Sequence, residues 1–178
     1  MTAQLAAQAH RVAGHHPEVA AHPWLAAATD HCLDAIGRIS DAPHAIELMF
    51  ALHFLDAAAP GDPRARALVD RLVAYVPADG TLPVAGGAEG EVLRLLDLTP
   101  RPGTPSRAAF RADAVAADLR RLAAAQQPDG GWTVTFTAYS PAGALEWRGY
   151  ATVQAVTVLR AAAGSGAGAA GPETGAAR

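Results

Sequence analysis

Glu146-Trp147-Arg148 sets an acid and a base on either side of an indole, the densest polar–aromatic cluster in the chain. Such a trio could line a cavity mouth, with Trp147 and Arg148 contacting a ligand and the Trp147 π face offered to a cationic or apolar group. The same residues also fit a helix-surface ion pair above a buried Trp147 and Tyr150. Glu146 is the first candidate for a catalytic carboxylate. Glu47, one turn before Phe50, and Glu91, just after the Gly-rich residues 86–90, are candidates of the same kind. Residue type excludes other chemistry. All 14 basic residues are Arg, so there is no Lys for a Schiff base, a pyridoxal-phosphate anchor or a Gly-x-x-x-x-Gly-Lys phosphate loop. Ser40, Ser106, Ser140 and Ser165 stand outside any Gly-x-Ser-x-Gly frame. The single Cys32 rules out internal disulfides and Cys-x-x-Cys sites. His15, His16 and His22 fall in a Pro/Gly-broken stretch that reads as a solvated loop.

The elements that must position these residues are helical almost throughout, which predicts an all-α fold. Residues 23–39 place Trp24, Leu25, Ala28, Cys32, Leu33, Ile36 and Ile39 on one face. Asp41 reads as the cap of a helix over 42–58 with Ile46, Met49, Phe50, His53 and Phe54 on one side. Asp62-Pro63 opens a helix over 63–76, Ser106 a long one to 127, and Ser140-Pro141 a last one to 163, which Gly164 ends. Residues 1–12 add one more. Residues 77–90 and 98–105 are Pro/Gly-rich loops, and 133–139 reads as a short strand or an extended connector. The domain therefore spans 1–163, and the Gly/Ala-rich tail 164–178 has nothing to bury and reads as disordered.

Gln126-Gln127-Pro128-Asp129-Gly130-Gly131-Trp132 is the sharpest local pattern. Gln126 would end a helix, Asp129-Gly130-Gly131 would turn through positive φ, and Trp132 would stack on the Gln126 amide. A shift of 50 residues lays Arg71-Leu72, Ala74, Asp79-Gly80 and Val84 on Arg121-Leu122, Ala124, Asp129-Gly130 and Val134. Each copy is a helix, an Asp-Gly turn and a short extended piece, as stacked repeat units require. In the first copy Val76 replaces Gln126 and Leu82 replaces Trp132.

Read as Gln-x-x-Asp-Gly-Gly-Trp, the motif resembles the repeat of squalene-type terpene cyclases and the related protein prenyltransferase β-subunits. The resemblance implies an α/α toroid of helical hairpins around an apolar cavity suited to an isoprenoid-type ligand. Five or six helices amount to half such a ring, a partial toroid. The cyclases' Asp-x-Asp-Asp acid motif and the ionising synthases' Asp-Asp-x-x-Asp are both absent, and no Asp-Asp pair occurs. The prenyltransferases bind zinc through Asp-x-Cys and a distant His. Asp30-His31-Cys32 matches the first half, but only His44 and His53 come after it, both close by. The alternative reading makes Cys32 a small core residue.

Net charge is −3 without a basic block, which argues against nucleic acid as a partner. No run approaches a membrane span or a signal peptide, so a cytoplasmic protein is expected, and no cofactor is. Abundant Ala, Gly, Pro and Arg without Lys or Asn points to a GC-rich bacterial genome. Three functions fit these residues: a holder of an apolar, isoprenoid-like molecule, a non-catalytic helical-repeat interaction module, or a fragment of a larger toroid enzyme whose catalytic acid lies elsewhere. A half ring would leave Ile46, Met49, Phe50 and Phe54 without an opposite wall, so self-association or a partner chain is expected.

Overall fold

A computed structural model describes residues 2–136, 138 and 140–167. In chain order the helices are α1 (Thr2–Ala13), α2 (Pro17–Ala20), α3 (Pro23–Gly37), α4 (Ala45–Ala58) and α5 (Pro63–Leu72), the last continued by a 3-10 turn (Val73–Tyr75). A two-residue antiparallel ladder of β1 (Leu82–Pro83) and β2 (Val92–Leu93) comes next, then α6 (Leu95–Leu98), α7 (Pro105–Ala108), α8 (Ala112–Ala124) and α9 (Pro141–Ala167). The chain is all-α. No helix among the described residues is long and apolar enough to cross a membrane.

Helix α4 is the centre of the molecule. Helices α1, α3, α5, α6 and α7 all pack on it. Its Leu48, Leu52, Phe54 and Leu55 are fully buried, joined by Ala6 and Ala7 of α1 and by Val69 and Leu72 of α5. The small Ala6 and Ala7 let α1 lie close against α4. This arrangement corrects the expected α4 face. Neighbours on most sides bury Ala51, Leu52 and Leu55 as well, Phe54 has a wall, and Ile46, Met49, Phe50 and His53 are only half-buried.

Helix starts depend on side-chain acceptors placed before Pro or an amide. Asp62 accepts from the Arg64 amide at 2.8 Å, and Ser140 Oγ from the Gly143 amide at 3.0 Å, as predicted. Two expected caps are corrected. Pro43 disfavours helical geometry at Ala42, so α4 starts later, and His44 Nδ1 caps it by accepting from the Ile46 amide at 3.3 Å. Ser106 lies buried inside α7, because its amide and hydroxyl both bind Asp56 (2.9 and 2.5 Å), and α8 begins separately after Arg111. Gly164 does not end α9, which runs on to Ala167. Nothing crowds Gly164 and no tertiary contact there demands a reversal. The rest of the expected tail, 168–178, lies outside the described residues. Trp24, expected inward, is exposed on α3. Residues 133–136 form a connector that bends at Thr135 and Phe136, with no strand pairing among the described residues, and residues 137 and 139 lie outside the described set.

The 50-residue repeat holds at its turns. Gly80 donates to the Pro77 carbonyl and Gly130 to the Gln127 carbonyl, both at 2.8 Å. Asp79 accepts from the Thr81 amide at 3.0 Å, and Asp129 from the Gly131 amide at 3.2 Å. Gly80 and Gly130 both take positive φ, 69° and 86°. Two stretches of different sequence therefore fold into one kind of turn.

Candidate functional site

The turn at residues 126–132 joins α8 to α9 through four separate fasteners. The Trp132 indole N–H donates to the Leu122 carbonyl at 2.7 Å, satisfying an acceptor in the last turn of α8. Its backbone N–H donates to Thr152 Oγ at 3.0 Å, and that hydroxyl donates to the Arg148 carbonyl at 2.8 Å, so the ring is anchored on α9 as well. Gln126 Nε2 donates to the Gly130 carbonyl at 3.0 Å, spanning the turn. The Arg148 guanidinium binds both carboxylate oxygens of Asp129. Arg148 holds the Asp129 carboxyl below the usual carboxylate range, with the Gly131 amide adding to it.

Two details depart from the sequence reading. Trp132 is buried, with 5 % of its surface exposed, but it and Gln126 each serve a different carbonyl in place of the expected stacked pair. Only Gly130 needs positive φ. Gly131 makes room for Arg148, because a Cβ there would come within 2.7 Å of the guanidinium and push that flexible group aside. Gln127, Pro128, Asp129, Thr133 and Arg148 together line only a shallow depression at the surface.

The Glu146-Trp147-Arg148 trio does not converge. Arg148 turns to Asp129 and Glu146 is exposed. Trp147 packs edge-on against Phe136 and Tyr150, with ring centroids 5.3 and 5.7 Å away. Trp147 and Tyr150 are not core residues, being 44 % and 55 % exposed. Glu91 closes a loop. Its carboxylate accepts from the Ala88 amide at 2.9 Å, and its carbonyl from the Val84 amide at 3.0 Å. Asp30 pairs with Arg64 at 2.8 Å, while Cys32 is buried on another side of α3, its thiol pushed up by burial. The two residues of the half zinc motif therefore do not meet. Among the described residues no three His, Cys, Asp or Glu side chains form a metal-holding group.

Cys32 and Glu47 do share a groove of about 500 Å³ between α1, α3 and α4. Its floor is apolar, with Ile36, Ile39, Ile46 and Phe50, and His31, His44 and Glu47 stand at its rim. His44 has no ring nitrogen to spare there: Nδ1 accepts from the Ile46 amide, which leaves Nε2–H to donate to the Ala85 carbonyl at 2.8 Å. The groove can hold an apolar body, with the Glu47 carboxylate at its exposed rim.

No protein-family model, curated protein or solved structure matches this chain.

Sequence reasoning missed the most buried polar cluster. Asp56 receives the Ser106 amide and hydroxyl, and the Arg107 guanidinium donates to the Thr99 carbonyl, and through Nε to Thr99 Oγ at 3.1 Å. Next to them His53 Nε2 donates to the Asp97 carbonyl at 2.8 Å, and burial lowers the His53 pKa. Ser, His and Asp are thus close, but Ser106 is fully buried and donates to the carboxylate itself. That is a structural tie between α4 and α7, with no nucleophile exposed. The signal in the sequence was an Asp in the apolar run 45–58. The partner, fifty residues away, left none.

Among the described residues, four of the seven exposed large apolar side chains are on α9. Leu145, Trp147, Tyr150 and Val153 are 71, 44, 55 and 66 % exposed, while Ala155 and Val158, further along the helix, are buried.

Proposed function

We propose that this chain is a non-catalytic helical-repeat interaction module of the partial-toroid type, from a bacterial cytoplasm, whose α9 face is covered by another polypeptide. The observation that carries this reading is the α9 face itself. Four large apolar side chains along a single helix are left in water, where a stable monomer rarely keeps a patch of a few hundred Å². The carboxylates support it. Glu91 and Asp129 are engaged in loop and turn closure, and Glu146 faces solvent with no reacting group opposite. In a repeat protein a hairpin with an apolar outer face is completed by a neighbour. Trp147→Glu combined with Tyr150→Glu is expected to keep the helical content and abolish both association and the binding of an apolar-surface dye. A wild-type protein that sediments as a monomer and binds no such dye would overturn the proposal.

The groove between α1, α3 and α4 favours a second reading, an apolar small molecule of isoprenoid type. Its apolar floor and roughly 500 Å³ volume suit such a chain. Filling the floor with Ile36→Trp should abolish binding of a fluorescent farnesyl probe, and equal binding by both proteins would remove this reading. Neither function includes turnover, so purified protein should return squalene or a linear prenyl diphosphate unchanged.

A further inference from the structure

We infer that the polypeptide covering α9 is a second copy of this chain, docked through an antiparallel α9–α9 pair with its twofold axis at Val153. This rests on the interaction reading and names its partner. Glu146, Val153 and Arg160 stand seven residues apart, so all three share one helix face, two turns from one to the next. Glu146 and Arg160 are both exposed, and neither joins an ion pair among the described residues. Val153 lies midway between them. An antiparallel pair centred there puts each Glu146 opposite the second copy's Arg160, twice by symmetry, and sets Tyr150 against Val156. A parallel pair would instead set like charges side by side.

Gly149 adds an independent mark. It sits inside a long helix, where Gly costs about 0.5–1 kcal/mol against Ala. It is exposed, and a Cβ there would meet nothing within 4 Å, so nothing inside the chain uses the missing side chain. It stands one turn from Val153 on the same face, where a second helix would approach closely. The other exposed apolar residues fit this pairing less well. Leu5 and Val12 lie on α1, which carries no acid to mirror a base across an axis, and Trp24 is the one exposed large apolar residue of α3. Self-complementary twofold contacts are also the commonest kind of oligomer interface. The face offers on the order of 1,000 Å² in total, the lower end of specific interfaces, so the dimer should dissociate on dilution.

Cysteine crosslinking of the full chain tests the axis, since the native Cys32 is buried and will not compete. Val153→Cys places two thiols at the twofold and is expected to give a disulfide-linked dimer on mild oxidation. Thr157→Cys separates its own pair by about 12 Å along the helices, too far for a bridge, and should stay uncrosslinked. Glu146→Arg and Arg160→Glu should each weaken the dimer about tenfold, and the double exchange should restore it. Equal crosslinking at 153 and 157, or a double exchange no better than the singles, would overturn the inference. A monomer that still binds an apolar dye on α9 would refute self-pairing and leave the interaction reading standing. A monomer that binds none would refute both.

Discussion

The helices around α4 and the α8–α9 hairpin solve the same problem with different means. In the first region burial does the work: α4 has neighbours on most sides, and leucines with no exposed surface fill the space between them. In the second, α8 has no fully buried residue, and α9 packs mainly on α8. There a few directional bonds replace the core: the Trp132 indole on Leu122, Thr152 on Trp132, Arg148 on Asp129. One polar link, the Leu96 amide on Asp118 at 2.9 Å, ties the hairpin to α6. The two Asp-Gly turns share the Gly–carbonyl and Asp–amide hydrogen bonds, and they differ in the added Gln126 and Arg148 bonds of the second and in the large apolar residue just past each turn. Leu82 faces a core that already exists, whereas Trp132 has to help make one. A repeat unit with an internal neighbour can lose its aromatic staple, and a unit at the edge cannot.

The comparison breaks most sharply at Leu52. Leu52→Ala should cost about 3–5 kcal/mol and lower the whole unfolding transition, since its site is enclosed on all sides. Chemical denaturation would show this as a shifted midpoint in every probe. A loss below about 1 kcal/mol would mean that α4 is not the organising element.

Trp132→Ala should cost about 3 kcal/mol, but locally. Amide exchange is expected to speed up through α9 and the end of α8 while α4 stays protected. Equal loss of protection in α4 would show that the hairpin and the central core unfold as one unit.

The smallest effect is with pH. Burial lowers the pKa of His53 and of His10, whose Nε2 donates to Thr29 Oγ at 2.8 Å. A histidine with a depressed folded pKa contributes stability that is fully present above its unfolded value, roughly 6.5. That contribution is lost as pH falls through the lower folded value. All seven His lie at or before residue 53, so mild acid should loosen the α4 region first. Asp129, held low by Arg148, keeps the hairpin clamp until pH falls below the usual carboxylate range. Asp97 has a raised pKa and works in the opposite sense, also at carboxylate pH. Melting monitored at α4 and at Trp132 separately would check the order, and simultaneous loss would contradict it.

What the sequence disclosed was whatever is encoded within a few residues. Asp62-Pro63 and Ser140-Pro141 marked helix starts because cap and Pro act on their own neighbours. The Asp-Gly turns were legible for the same reason, as was the burial of Trp132. Asp41 and Ser106 were misread as caps. Pro43 overrode the first, and a carboxylate fifty residues away claimed the second. The role of Gly131 was hidden too, since only the folded chain brings Arg148 over it. The candidate carboxylates were identified by type, yet their partners (an amide for Glu91, solvent for Glu146) are set by tertiary placement.

The loop between β1 and β2 has a further consequence, for how this chain can change length over generations. The Val84–Glu91 backbone bond and the Glu91 carboxylate clasp its base, and His44 holds Ala85 against the start of α4. Residues 86–90 at its tip are exposed. With entry and exit pinned side by side, added residues there cost little closure entropy. Relatives with longer or shorter tips can therefore be expected to keep both helical regions intact, and a tag or small domain spliced in at this point should leave the fold and the α9 surface unchanged.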